Sequence, residues 1–318
     1  MPDQLFLGID LGGTDTKYGI VDGGGRVLRR NRWPTEPERG PEGVLKQVAV
    51  HAREMIGADK VLAVGMGVPG PMSSRLGMVF EAPNLPGWVN VPVQKMLEDD
   101  LGLPVRLNND ANAAAWGEFR AGAGRGASTM ILYTLGTGVG GGIIIEGELL
   151  CGPDDTAGEL GHIVVNPEGP RCGCGNRGCL EAYASATAIR RRVREALAAG
   201  VRTSIVIPAG EEDTFGAKPV FEAAERGDVL ASEIIAEAGR MLGLAAAGMI
   251  NALNPDVIAY GGAMSQAGAI LFDRIIGTAK ANSFAKPFSR VRIVPGELGN
   301  DAGLIGAAGL AMRLAGGE

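Results

Sequence analysis

The chain has 318 residues, long enough for two domains that each bury a core. Its net charge of −6 and its 5% aromatic content argue against a nucleic-acid partner held by phosphate contacts or base stacking. No run approaches about 18 apolar residues, and Met1-Pro-Asp-Gln leads into a strand pattern without a signal peptide's basic and apolar regions, so no membrane partner and a cytoplasmic setting are expected.

Leu5–Asp10 predicts a buried strand, Gly12-Gly13-Thr14 a turn, Thr16–Val21 a second strand and Arg26–Arg30 a third, in hairpin succession. Residues 41–56 carry apolar positions at helical spacing. Val61–Val68 predicts a strand, 92–101 a short helix, Val105–Leu107 a strand and Ala111–Phe119 a helix. Gly122–Gly126 is small and flexible, a candidate boundary. Thr129–Leu135 then predicts a strand, Gly136–Gly142 a loop and Ile143–Ile145 its hairpin partner. The second half thus opens as the first does, which hints at a duplicated core. Ala188–Ala199 predicts a helix with a solvated arginine face, 201–216 a loop, 219–226 and 228–250 helices, Val257–Tyr260 and Val291–Pro295 strands, and Gly303–Leu314 a small-residue helix. The expected organisation is α/β: a small domain over 1–120, rejoined by the C-terminal helix 303–318, and a large domain over 121–302.

His162, Cys172, Cys174 and Cys179 form the densest chemical cluster, one of two histidines and three of four cysteines. Thiolate and imidazole are the ligands zinc prefers, and Cys₃His is a closed tetrahedral set, so a structural Zn²⁺ is expected there. Cys151 is left as a lone thiol.

Two glycine loops suit phosphate. Asp10, Gly12, Gly13, Thr14, Thr16 and Lys17 offer amides, hydroxyls and an ammonium, and Gly136, Thr137 and Gly138 offer amides at a strand's end. Ordinary hairpin turns would account for either loop taken alone. Gly136-x-Gly138-x-x-Gly141 matches a dinucleotide fingerprint, but β-branched residues follow it instead of a helix, and no P-loop pattern exists.

Asn108-Asn109-Asp110 ends a strand and opens a helix. Asn109 or Asp110 can be the N-cap, and a carboxylate in that place can take a proton from a substrate hydroxyl. Asn84, Asn109, Glu159 and Glu181 are amides and carboxylates of the kind that satisfy paired hydroxyls of a polyol.

Asp10-Leu-Gly-Gly-Thr, Pro83-Asn-Leu-Pro-Gly-Trp, Asn109-Asp110, Leu135-Gly-Thr-Gly-Val-Gly-Gly-Gly, Glu159-Leu-Gly-His162 and Cys172-Gly-Cys-Gly-Asn-Arg-Gly-Cys-Leu-Glu181 resemble the ROK family of sugar kinases and repressors, over residues 5 to about 310. The 83–88 loop most resembles that of the family's bacterial glucokinases. The resemblance implies a two-domain actin/hexokinase-like (ribonuclease H-like) fold with an interdomain cleft for ATP-Mg²⁺ and a hexose. It implies Asp110 as general base on the sugar 6-hydroxyl, with Asn84, Asn109, Glu159, His162 and Glu181 on other hydroxyls. It places Asp10, Gly12, Gly13, Thr14, Thr16, Lys17, Gly136, Thr137, Gly138, Gly261 and Gly262 around the nucleotide and its Mg²⁺, and His162 on zinc and sugar together. Asp15 departs from the pattern, where relatives often carry an uncharged residue, which bears on the loop's hold on a triphosphate. Glucose is the expected sugar; N-acetylmannosamine, N-acetylglucosamine, fructose and allose are alternatives, as is a sugar-sensing repressor. A homodimer or higher homo-oligomer is a family-level expectation.

Overall fold

The computed structural model describes residues 4–82 and 84–316, so Pro83 of the expected sugar loop lies outside them. In chain order come β1 (Leu5–Leu11), β2 (Asp15–Asp22), β3 (Val27–Pro34), α1 (Gly40–Ile56), β4 (Val61–Val68), β5 (Met72–Ser73), β6 (Met78–Glu81) and β7 (Val89–Val91). Then follow α2 (Val93–Leu101), β8 (Val105–Asn109), α3 (Asp110–Ala121), β9 (Met130–Leu135), β10 (Val139–Ile145), β11 (Glu148–Leu149), α4 (Glu181–Ala184) and α5 (Ala186–Ala198). The chain closes with α6 (Lys218–Glu225), α7 (Val229–Leu253), β12 (Val257–Gly261), α8 (Ala269–Asn282), α9 (Ala285–Phe288), β13 (Arg292–Pro295) and α10 (Ala302–Leu314). No helix among the described residues is long and apolar enough to cross a membrane.

Two compact units emerge. One comprises Met1–Ala127, Gly142–Gly158 and Glu297–Glu318; the other comprises Ser128–Gly141 and Glu159–Gly296. The division differs from cuts at 120 and 302 because the chain returns to the first unit in mid-strand, at Gly142 of β10, and again at Glu297. The sheets have the orders β3-β2-β1-β4-β8 and β11-β10-β9-β12-β13. In each, three consecutive strands lie side by side, and two later strands extend the sheet beyond the first, parallel to it. The repeat hinted at by the sequence is thus a repeat of topology.

In the first unit α1 buries Val44, Leu45, Val48, Ala49, Ala52 and Met55, one stripe at helical spacing, and Leu7, Ile9, Val64 and Met66 of β1 and β4 belong to the same core. The other sheet face takes α10, with Leu304, Ala308 and Ala311 against Phe6, Val21 and Ala63. Glycines permit that approach. Gly19, Gly8 and Gly65 are cross-strand neighbours on β2, β1 and β4. A Cβ on Gly8 would fall 1.9 Å from the Leu304 carbonyl oxygen, and one on Gly65 would fall 1.7 Å from that of Ala307. The helix backbone therefore lies directly on a bare strip of sheet.

Several elements depart from expectation. β3 runs on to Pro34 as the long outer partner of β2. β5, β6 and β7 form a three-stranded sheet that the sequence reading did not anticipate, because strands of two to four residues leave no periodic trace. The expected loop Gly136–Gly142 is already strand from Val139. Its glycines serve packing: a Cβ on Gly141 would sit 2.5 Å from Leu160 Cδ1, and one on Gly142 would sit 2.5 Å from Ala115 Cβ.

Candidate active site

In the first unit the chemistry gathers at the carboxyl ends of the parallel strands, where open α/β sheets present their ligands. Asp10 is the penultimate residue of β1, and Gly67 of β4 is its cross-strand partner. Gly67 pairs in turn with Asn108 of β8, so Asp10 and Asn108 lie two strand spacings apart, roughly 10 Å, and Asp110 follows Asn108 at the start of α3. A Cβ on Gly67 would lie 3.3 Å from Asp110 Cα, so this glycine gives the aspartate its room. A Cβ on Gly303 of α10 would lie 2.9 Å from the Asp10 carboxylate, so α10 closes against that residue from behind.

Asn109 is the N-cap of α3: its Oδ1 accepts from the N–H of Ala111 at 2.9 Å and of Asn112 at 3.2 Å. This leaves the side-chain NH₂ of Asn109 as the donor for a ligand. Asp110 is the first residue of the helix, and its Oδ1 accepts the Ala111 N–H at 2.8 Å. That bond and the cap fix the carboxylate at a helix N-terminus. Asn84 is exposed, and its Cβ would stand 3.4 Å from a Cβ on Gly13. The 84–88 segment and the first glycine turn are therefore neighbours, anchored by buried Leu85 and Trp88.

The first glycine turn is the β1–β2 hairpin connection. Gly12 N–H is engaged by the Asp15 carbonyl at 3.1 Å, which leaves Gly13 and Thr14 to supply amides. Thr16 is a correction. Strand alternation turns it inward; it is 2% exposed, with its hydroxyl 3.0 Å from that of Thr35, which itself bonds the Gly12 carbonyl at 2.7 Å. Thr16 braces the turn instead of presenting a hydroxyl to phosphate. Lys17 Nζ stands 2.9 Å from Asp10 Oδ2, so cation and carboxylate form a pair.

In the second unit, Gly136 and Gly138 close a tight turn, with Gly136 N–H donating to the Gly138 carbonyl at 3.0 Å. The start of α5 holds this turn: Ala186 N–H donates to the Gly136 carbonyl at 2.9 Å, and the Thr187 hydroxyl to that of Thr137 at 2.9 Å. Gly262 (φ +84°) follows β12, and a Cβ there would lie 2.4 Å from the Leu135 carbonyl oxygen. Gly136–Gly138 and Gly261–Gly262 are thus adjacent at the carboxyl ends of the parallel pair β9 and β12.

The sulfur cluster lies in the same unit. Cys172 Sγ is 3.7 Å from His162 Nδ1, Cys174 Sγ is 3.7 Å from Cys179 Sγ, and all four donor atoms lie within 4.8 Å of one another. Zinc–sulfur bonds of about 2.3 Å set a tetrahedral edge of about 3.8 Å, so the donor set fits Zn²⁺ in identity, number and spacing. Burial pushes the Cys172 thiol up to about 12 and raises that of Cys179, while the Asn176 backbone holds that of Cys174 down. A coordinated divalent cation deprotonates thiols whatever their burial. Glu181 stands beside the cluster: its Oε1 is 3.6 Å from Cys172 Sγ, and its Oε2 accepts the Val139 N–H at 3.0 Å. Glu159 is exposed, and its carbonyl accepts the His162 N–H at 3.1 Å.

Sequence reasoning missed Gly67, Gly303, Thr35 and Thr187. The alternation Gly65-Met66-Gly67 inside an apolar strand was the available signal, since glycine in a strand marks close approach. The others depend on partners far away in the chain.

The family model described as "ROK family" matches residues 6–313. A glucokinase of Thermotoga maritima is 40% identical over 319 residues, covering all of both chains. The crystal structure of a ROK family glucokinase from Streptomyces griseus with glucose and AMPPNP superposes with a TM-score of 0.83 at 36% identity, over 97% of this chain and 99% of that one. A ROK family transcriptional regulator, a homologue of the Escherichia coli MLC protein, superposes with a TM-score of 0.86 at 30% identity, over 99% of this chain and 79% of that one. The fold is that of the actin-like sugar kinases, and the chain belongs to the ROK family.

Proposed function

We propose that the chain is an ATP-dependent hexose kinase that phosphorylates glucose at the 6-hydroxyl, with Asp110 as general base. The observation that carries this reading is the placement of Asp110 at the carboxyl end of β8, fixed by Ala111 N–H and flanked by the Asn109 cap, in a chain similar to glucokinases along its whole length.

Phosphoryl transfer needs positioning and charge neutralisation more than covalent chemistry. Asp110 takes the 6-hydroxyl proton as the oxygen attacks the γ-phosphorus of ATP. Asn84, Asn109, Glu159, His162 and Glu181 bind the remaining hydroxyls and hold the sugar in register. The amides of Gly13, Thr14, Thr137 and Gly138 face the phosphates, and Gly261–Gly262 leaves space beside the nucleoside. Asp10 would hold Mg²⁺ through water, supplying charge neutralisation at the phosphates, with Lys17 balancing the carboxylate. Cys172, Cys174, Cys179 and His162 Nδ1 would hold Zn²⁺, whose role is to stiffen the segment that carries His162 and Glu181.

The regulator's equal likeness in fold means that fold alone does not separate a kinase from a sugar sensor. A coupled ADP-release assay over hexoses and N-acetylhexosamines decides. Glucose should give the highest kcat/KM. A preference for N-acetylmannosamine would move the sugar assignment, and no turnover on any sugar would overturn the kinase reading.

A further inference from the structure

From Leu150 to Gly158 the chain forms no helix or strand, yet it is held in one shape. The Cys151 carbonyl accepts the Ala157 N–H at 2.9 Å, which closes the segment into a loop. Within that loop Asp155 has φ +58°, a left-handed conformation that residues other than glycine seldom adopt. Backbone held in such a region gathers at functional sites.

The Asp155 side chain is 6% exposed and meets the end of β5. Its Oδ2 accepts the Ser73 hydroxyl at 2.9 Å, the Ser74 N–H at 2.9 Å and the Arg75 N–H at 3.4 Å. Its Oδ1 accepts the Ser74 hydroxyl at 3.2 Å. Arg75 Nε stands 3.8 Å away on a largely exposed side chain, and an ion pair of that kind adds little. The buried charge is therefore held by hydrogen bonds of fixed geometry. Ser73 Oγ also accepts the Leu76 N–H at 3.3 Å, so the clasp orders the whole 73–76 turn.

Each side of the clasp leads to a side chain assigned to the sugar. β5 pairs with β6 and β6 with β7, and Asn84 lies in the β6–β7 connection. Leu85 N–H donates to the Ala82 carbonyl at 2.9 Å and Ala82 N–H to the Trp88 carbonyl at 3.3 Å, so that connection moves with the small sheet. On the other side, Glu159 follows Asp155 by four residues, directly after Gly158.

We propose that Asp155 is a positioning residue for the sugar: its carboxylate ties the segment that delivers Glu159 to the sheet that delivers Asn84. The inference rests on the reading of those two residues as hydroxyl ligands. Loss of the clasp frees the loop, so its ordering is deferred to binding and appears in sugar affinity.

Steady-state kinetics with ATP and whichever hexose the parent protein turns over best, glucose being expected, test this. D155G removes the carboxylate while suiting the positive φ. The sugar KM should rise about tenfold, with the ATP KM and kcat within about twofold of the parent. D155N keeps an acceptor oxygen and tolerates the left-handed region, so its sugar KM should return to within about threefold of the parent. Amide hydrogen exchange in D155G should quicken at residues 73–76 and 151–158 but not in β1 or β4. If D155G fails to fold, S73A/S74A carries the same test, because it removes both hydroxyl donors and keeps the backbone donors. A lowered melting temperature with unchanged sugar KM, or equal rises in the sugar and ATP KM, would overturn the proposal. A parent protein that phosphorylates no sugar would overturn the kinase reading and this inference together. An active parent beside a D155G protein of identical kinetics would overturn the inference alone.

Discussion

Glu181 Oε2 accepts the backbone N–H of Val139 at 3.0 Å, while its Oε1 lies 3.6 Å from Cys172 Sγ. One carboxylate therefore joins the sulfur cluster to Val139, the first residue of β10 after the Gly136–Gly138 turn. The sulfur-cluster segment and the Gly136–Gly138 turn are linked through a single side chain, so on the proposed assignment a disturbance at either should be felt in sugar and nucleotide binding alike.

Gly138 tests that link without removing a functional group. A Cβ there would fall 2.4 Å from Glu181 Oε2, so G138A forces the carboxylate off Val139. Displacement of about 1 Å can cost on the order of 100-fold in turnover. We expect G138A to lower kcat/KM by roughly that amount, raising KM for sugar and for ATP together, with the melting temperature little changed. A change confined to the ATP KM would show that the loop acts independently of Glu181.

The Cys₃His set should carry about one zinc per chain by metal analysis of the purified protein. Because the ligands do not form a site in the unfolded chain, binding energy is folding energy, and C179S should lose the metal and melt at lower temperature. Sugar affinity should fall more than ATP affinity, since His162 and Glu181 flank the cluster. Full zinc content in C179S would count against the assignment of Cys179 as a ligand.

How much of this was legible in the sequence follows distance along the chain. The sulfur cluster and the Asn109–Asp110 cap were readable because their members are close together and their chemistry is local. Thr16 was read as a phosphate ligand because composition ignores strand alternation; it points inward to Thr35. The strip Gly19, Gly8 and Gly65 could not be read at all, since only sheet register aligns those residues and only α10, more than two hundred residues on, explains them. The run Val139–Gly142 misled because glycine normally signals a turn, whereas here a strand needs it for packing.

Those packing glycines predict large losses. A Cβ on Gly306 would fall 1.6 Å from the Ala113 carbonyl oxygen, an overlap with backbone that no rotamer relieves. Overpacking costs typically 1–3 kcal/mol and more where backbone must move, so G306A should lie at or beyond the upper end in chemical denaturation. G277A, at a helical glycine with open space around a Cβ, should be neutral or slightly stabilising.

Asp228 caps α7, with Oδ1 accepting the Ala231 N–H at 2.8 Å and Oδ2 accepting the Ser204 N–H. Those backbone donors hold its carboxyl down at about 2, against about 3.9 for an unperturbed aspartate. A depressed native value means that the contribution is present above the unfolded value and is lost as pH falls from about 4 through about 2. Replacement by alanine should cost about 1 kcal/mol at neutral pH. The melting temperatures of the D228A and parent proteins should converge at the acidic end of a titration series, and a constant gap would place the effect elsewhere than in the charge.

On the proposed assignment Asp110 and Asn109 divide their labour, and two variants can separate them. In D110N the side chain keeps its size and can still accept the Ala111 N–H, but it no longer takes a proton. Turnover should fall by about 10²–10⁴-fold, with glucose affinity by titration largely kept. In N109A the cap of α3 is lost, costing about 1 kcal/mol of stability, and a hydroxyl contact goes with it, so KM for sugar should rise while kcat falls less than in D110N. Asn109→Asp restores the capping oxygen but removes the NH₂, so it should recover stability without recovering sugar affinity. Near-normal turnover in D110N would exclude Asp110 as the base, and full recovery of affinity in Asn109→Asp would confine Asn109 to capping.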